Sequence, residues 1–238
     1  MSPTTTIAKR ELSGFFFSPM AYVAMTLFLA ACGVAFLDDF QPGQVVAMRS
    51  IFDWMVWLLV FVTPVLCMGL LAQEFATGTV ETLMTAPIAD HQVVLGKYLG
   101  AMGFFAILIS PTLLYVALLA LYGHPDLGPL LSGYLGVLLV GGLFTAVGLF
   151  CSSLSRSQVV AAVSAAAILF AITVVPWWVR GKTILSGFWS VAVDQGVHAR
   201  YADFSKGVID TGNIVFFLAM TAMFLFLTVK VVESRRWR

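Results

Sequence analysis

Residues 130–154 read LLSGYLGVLLVGGLFTAVGLFCSSL, a stretch without a single charged side chain. About 20 apolar residues are enough to carry an α-helix across the hydrocarbon core of a bilayer. This run sits in a chain of 238 residues of which 60% are hydrophobic and only 11% charged. A soluble domain needs roughly 25% charged residues to cover its surface, so water is the wrong solvent here. The mean hydropathy of +0.96 agrees. The apolar side chains must face lipid or other helices inside lipid, where each backbone polar group is satisfied within its own segment.

Working outward, five more uncharged runs of spanning length occur at 18–37, 54–72, 98–122, 157–179 and 211–229. With 130–154 they predict an all-α integral membrane protein of six transmembrane helices, a single transmembrane domain over 1–238. A further apolar piece at 184–193 is too short to span and reads as interfacial or re-entrant. Six spans put both termini on one side. Lys9 and Arg10 before the first span, and Lys230, Arg235, Arg236 and Arg238 after the last, make that side cytoplasmic. The stretches 38–53, 123–129 and 180–210 are then external. The first two contain only Arg49 as a basic residue, while the third sets Arg180, Lys182, Arg200 and Lys206 against Asp194, Asp203 and Asp210.

Residues 7–17 mix Lys9, Arg10 and Glu11 with Leu12, Phe15, Phe16 and Phe17. Such a piece either lies as an interfacial helix in the headgroup layer or continues the first span. Pro19 favours a break between the two. Leu29-Ala30-Ala31-Cys32 looks like a lipoprotein cleavage box, but the apolar run continues to Leu37 and the charged stretch before it is long for a signal peptide. A retained first span is expected.

The formal net charge of +1 provides no basic field for nucleic acid. Cys32, Cys67 and Cys151 lie inside apolar runs, without the spacing of a disulfide framework or a zinc site. No Asp, Glu, Lys, Arg or His falls within the core of a predicted span, which argues against a proton-coupled carrier. His91, His124 and His198 occupy three different loops, and neither His-Glu-x-x-His nor Gly-x-Ser-x-Gly occurs. Gly181-Lys182-Thr183 resembles the end of a phosphate-binding loop, yet Pro176 stands where its first glycine belongs. The chain is expected to be no enzyme and to hold no metal or cofactor of its own.

The loop 73–97 between spans two and three is the informative one. It opens Gln73-Glu74-Phe75-Ala76-Thr77-Gly78-Thr79-Val80-Glu81-Thr82-Leu83-Met84-Thr85-Ala86-Pro87-Ile88 and closes Leu95-Gly96-Lys97. An acid stands at the membrane exit, Gly78 allows a turn, Thr79 can cap a short helix carrying Leu83 and Met84, and Pro87 lies just past its end. A short amphipathic helix held out by two spans suits docking to a soluble partner.

The pattern Glu74-x-x-x-Gly78-Thr79-x-Glu81-x-Leu83-x-x-x-Pro87, followed by Gly96-Lys97, resembles the ABC-2 family of transporter permeases, most closely the gliding-motility-associated type. Phe204 to Asp210 before the last span and Glu233 to Trp237 at its end extend the resemblance over essentially the whole chain. It implies a permease subunit of an ATP-driven exporter in the bacterial cytoplasmic membrane, paired with a second permease copy or a homologous permease above two ABC ATPase subunits. ATP and Mg would be bound by those partners. A subunit with a large extracytoplasmic domain is a further partner of the gliding-associated type. The resemblance also implies a coupling helix at about Thr77 to Pro87, a second contact at Ser152 to Gln158 with Arg156, and a third surface at residues 7–17. Phe75 and Ala76 depart from the family, which usually has basic residues there. In the external segment, Trp189, Tyr201 and Phe204 fall in a region that forms partly inserted helices in the family; taken alone they read as interfacial anchors. Glycines at 96, 100 and 103, and at 133, 136, 141, 142 and 148, would let helices approach closely. An ATP-independent secondary carrier or channel, and a membrane anchor that recruits an ATPase to act on an extracytoplasmic partner, are the alternatives.

Overall fold

The computed structural model describes residues 2–39, 48–79, 89–122, 126–179 and 196–236. All regular structure among them is helical, and six helices are long and apolar enough to cross a membrane. Helix α1 (Pro3–Phe17) starts at Ser2, whose hydroxyl oxygen accepts the Thr5 N–H, and Pro3 follows at a position where its missing N–H leaves nothing unpaired. Ser18 ends α1 in an extended conformation, and α2 (Pro19–Asp39) begins at the next residue. Then follow α3 (Arg49–Cys67), the short α4 (Ala72–Thr77) and α5 (Asp90–Ile109). One 3-10 turn (Ser110–Thr112) leads from α5 into α6 (Leu113–Tyr122). The chain closes with α7 (Leu127–Leu154), α8 (Gln158–Val179), α9 (Val197–Ser205) and α10 (Thr211–Arg236).

Helix α7 is the axis of the bundle. Its spanning window is 78% buried, against 22% for α8 and 17% for α10, and it touches α3, α5, α8, α9 and α10. Its glycines explain how so many neighbours fit. A Cβ added at Gly133 would run into the Phe52 ring, and one at Gly141 into the Phe105 ring. Lipid tails are as apolar as leucine, so helices here associate through close van der Waals packing, which small residues allow. Phe28, Met55, Leu59, Leu143, Phe144 and Phe217 fill the remaining space around this axis.

The helices differ in extent from the uncharged runs. Structure at the N-terminus begins at Pro3, not at Ile7. The second span takes in Arg49 and Asp53, its helix stops at Cys67, and α4 follows after a turn. Residues 90–97, expected in a loop, form the first two turns of α5, and the third span is interrupted at Ser110–Thr112. The last helix runs on to Arg236 rather than stopping at Val229. An uncharged run marks the lipid-buried part of a helix, whereas the helix itself ends where backbone pairing ends, and charges at headgroup depth do not interrupt it.

Candidate functional site

One end of the bundle gathers α1, α4, the start of α5, the α7–α8 turn and the end of α10. Arg235 donates to the Leu154 carbonyl at 2.7 Å, and its guanidinium lies 4.3 Å from the centroid of the Phe75 ring. We call this end the terminal face.

The closest helix contact on this face follows from Gly96-x-x-x-Gly100. The two glycines sit one turn apart on α5 and leave a groove in which α1 lies. A Cβ at Gly96 would stand 2.8 Å from Ile7, and one at Gly100 would stand 2.7 Å from Glu11 Cβ and 2.9 Å from the Ala8 carbonyl. Small residues at this spacing let two backbones approach within reach of side chains that are otherwise too short. Lys97 stands between them and is 1% exposed.

A buried ammonium is tolerated only with close anionic partners. Lys97 Nζ has two, Glu11 Oε1 at 2.9 Å and Glu74 Oε1 at 2.8 Å. Arg10 adds a second cation, 3.1 Å from Glu11 Oε1 and 3.3 Å from Glu74 Oε1. Two cations and two carboxylates thus tie α1, α4 and α5 together with no net charge. These are charge-assisted hydrogen bonds, roughly twice as strong as neutral ones. The second oxygen of Glu74 is buried without a hydrogen-bond partner among the described residues.

Helix α4 is held for this role by α7. Ser152 Oγ, fully buried, accepts the N–H groups of Leu71 and Ala72 at 3.0 Å each and donates to the Met68 carbonyl at 3.0 Å. Three backbone groups of the turn after Cys67 are thus satisfied by that one hydroxyl, two of them N–H groups at the start of α4. Glu74 lies in the first turn of α4, where the helix dipole favours an anion. Gly78 then ends α4 at φ +73°, a left-handed conformation that a side chain resists.

No group of three or more metal-ligating side chains exists among the described residues. Through Lys97, α4 and α1 are both joined to α5.

The sequence profile of the ABC-2 family transporter proteins matches residues 5–236. The chain belongs to that family. It is therefore a multi-pass membrane component of an ABC-2 transporter, a family whose members are typically permeases without ATPase activity and whose membership implies partner ATPase subunits. A search of curated proteins returns no match.

In this ABC-2 protein, the expected site residues are spread over several places. Arg10, Glu11 and Glu74 meet in the network, with Lys9 on α1 beside them. Gly78 and Thr79 follow α4 and lead away from it, and Arg156 lies in the exposed turn between α7 and α8. Glu81, Leu83, Pro87 and Trp189 lie outside the described residues, as does Gly181-Lys182-Thr183. Phe75 is 8% exposed and serves as the platform for Arg235.

Tyr201 and Phe204 are not interfacial anchors. Both are fully buried on α9, packed over α7, where a Cβ at Gly136 would meet Phe204 Cβ at 2.7 Å and Tyr201 Cε2 at 3.1 Å. Ser132 Oγ donates to the Phe204 carbonyl at 2.7 Å. Beside them Arg200 donates to Asn213 Oδ1 at 3.0 Å, and Asn213 Nδ2 donates to Asp203 at 3.0 Å, fastening α9 to α10. Burial foremost, and then the charge of Asp53, pushes the Tyr201 hydroxyl well above its ordinary range. Sequence reasoning missed Lys97 as the hub and Ser152 as the cap. The spacing of Gly96 and Gly100 around Lys97 was the available signal; nothing in the sequence singles out Ser152.

Proposed function

We propose that this chain is the transmembrane subunit of an ATP-driven exporter, and that the terminal face is where a separate ATPase subunit drives it. The observation that carries this reading is the buried Lys97, held between Glu11 and Glu74. It locks the N-terminal helix, the helix leading into the 79–88 loop and the third span into one mechanical unit. ATP binding would draw two ATPase subunits together beneath a pair of permeases, and motion of the 79–88 loop would enter the spans through α4. The terminal face is then cytoplasmic, in keeping with the basic residues at both ends of the chain. Within the family, the loop pattern and the segment before the last span favour the gliding-motility-associated type. That type would add a partner with a large extracytoplasmic domain.

The test is co-expression with the cognate ATPase. The permease alone should hydrolyse no ATP, the two should co-purify, and Glu81→Lys or deletion of 79–87 should weaken the complex. Should the complex survive both changes intact, the assignment of the docking loop is wrong.

A further inference from the structure

A cavity of about 260 Å³ opens beside the ion network, in the elbow between α1 and α2. Its walls come from the end of α1, the start of α2, the end of α3, the turn before α4 and the start of α8. It is small compared with ligand pockets, which run to roughly 300–1,000 Å³, and so suits a headgroup and the first carbons of its chains rather than a whole lipid.

The lining is divided by chemistry. On one side are Phe15, Met20, Val65 and Leu66; on the other are Glu11, Ser18, Gln73 and Gln158. The two amides converge over Gly69, where a Cβ would meet Gln73 Oε1 at 3.3 Å and Gln158 Nε2 at 3.9 Å. Neither amide makes a side-chain hydrogen bond among the described residues. Glu11 spends only Oε1 on Lys97 and Arg10, leaving Oε2 free to accept. The cavity wall thus has one carboxylate and no cation. Met20 in its lining is 47% exposed, at the start of a helix long and apolar enough to cross a membrane, which puts the cavity within reach of lipid.

We infer that this elbow is a binding site for a membrane phospholipid with an ammonium-bearing, zwitterionic headgroup. The ammonium would donate to Glu11 Oε2, the phosphate would accept from the Gln73 and Gln158 amides and the Ser18 hydroxyl, and the first chain carbons would lie along Phe15, Met20 and Leu66. Lys97 and Arg10 already balance the charge of Glu11 through Oε1, so what the wall offers a headgroup is the acceptor Oε2. An ammonium donates to that oxygen with charge on both partners, whereas the glycerol hydroxyl of phosphatidylglycerol donates as a neutral group, so the lining favours phosphatidylethanolamine over phosphatidylglycerol. Because Glu11 belongs also to the network, lipid in the elbow bears directly on the ion cluster that ties α1 to α4.

The site does not rest on the ATPase reading, since it is tested on the permease alone. The full-length chain, purified from mixed phosphatidylethanolamine and phosphatidylglycerol vesicles, is analysed by native mass spectrometry for retained lipid. The wild type should retain phosphatidylethanolamine preferentially, by about tenfold for one charge-assisted hydrogen bond. Gly14→Leu fills the cavity from α1 and should abolish retention. No atom lies within 4 Å of a Cβ at Gly14, and leucine favours a helix over glycine, so folding is not at risk. Glu11→Gln should remove the preference between the two lipids while leaving some retention of both. Equal retention of both lipids by the wild type, or unchanged retention by a folded Gly14→Leu protein, would overturn the site.

Discussion

The two ends of this bundle are fastened by different chemistry. At the terminal face three helices meet through four charges, the buried Lys97 among them. At the opposite end α9 is pressed on α7 by Tyr201 and Phe204 against Gly136, with one hydrogen bond from Ser132. Ion pairs act over a few ångströms and are non-directional enough to survive small shifts, whereas a ring seated against a glycine backbone loses its contacts within a fraction of an ångström. The first kind of joint suits a face that takes up force, the role proposed for the terminal face.

Substitutions break this contrast in a definite order. Lys97→Met should cost most, about 3 kcal/mol, at the lower end for breaking a buried ion pair because Glu11 and Glu74 keep some solvent. Unfolding in detergent measures it, and ATPase stimulation in the assembled complex should fall with it. Gly136→Leu should cost about 1–3 kcal/mol through overpacking of the α7–α9 contact, leaving ATPase capture unchanged, because the terminal face is untouched. Ser132→Ala should cost about 1 kcal/mol for one buried hydrogen bond.

Tyr201→Phe sharpens the comparison in the other sense. The hydroxyl is buried with no hydrogen-bond partner among the described residues, so its removal should leave stability unchanged or slightly raised. Its folded-state titration lies well above the ordinary tyrosine value. The neutral form is therefore favoured by folding, and stability is fully present below about pH 10. It falls as pH rises above that, because the unfolded chain loses its proton first. Alkaline unfolding should be steeper in the wild type than in Tyr201→Phe.

How much of this was legible in sequence depends on the residue. The six spans were readable because lipid demands long uncharged runs, and 130–154 announces itself as a helix wanted by its neighbours through its glycines. Glu74, Arg10 and Glu11 stood out as charges near membrane exits. Their meeting was hidden, since it depends on Gly96 and Gly100 drawing α1 onto α5. Lys97 stands just before an uncharged run and reads as a loop residue, although a lysine paired on both sides continues a helix without difficulty. Tyr201 and Phe204 misled because aromatic residues near a span end read as headgroup anchors, and only the bare backbone of Gly136 reveals that they turn inward.

The central claim is that force reaches the spans from the cytoplasm through α4 and the loop that follows it. Cys32, Cys67 and Cys151 are all buried, so Thr79→Cys provides a single accessible thiol in an otherwise unchanged chain. In intact cells a membrane-impermeant maleimide should leave Cys at this position unlabelled, and should label it once the membrane is opened. Labelling in intact cells would place this loop outside, beyond the reach of any nucleotide-driven partner, and would contradict the account.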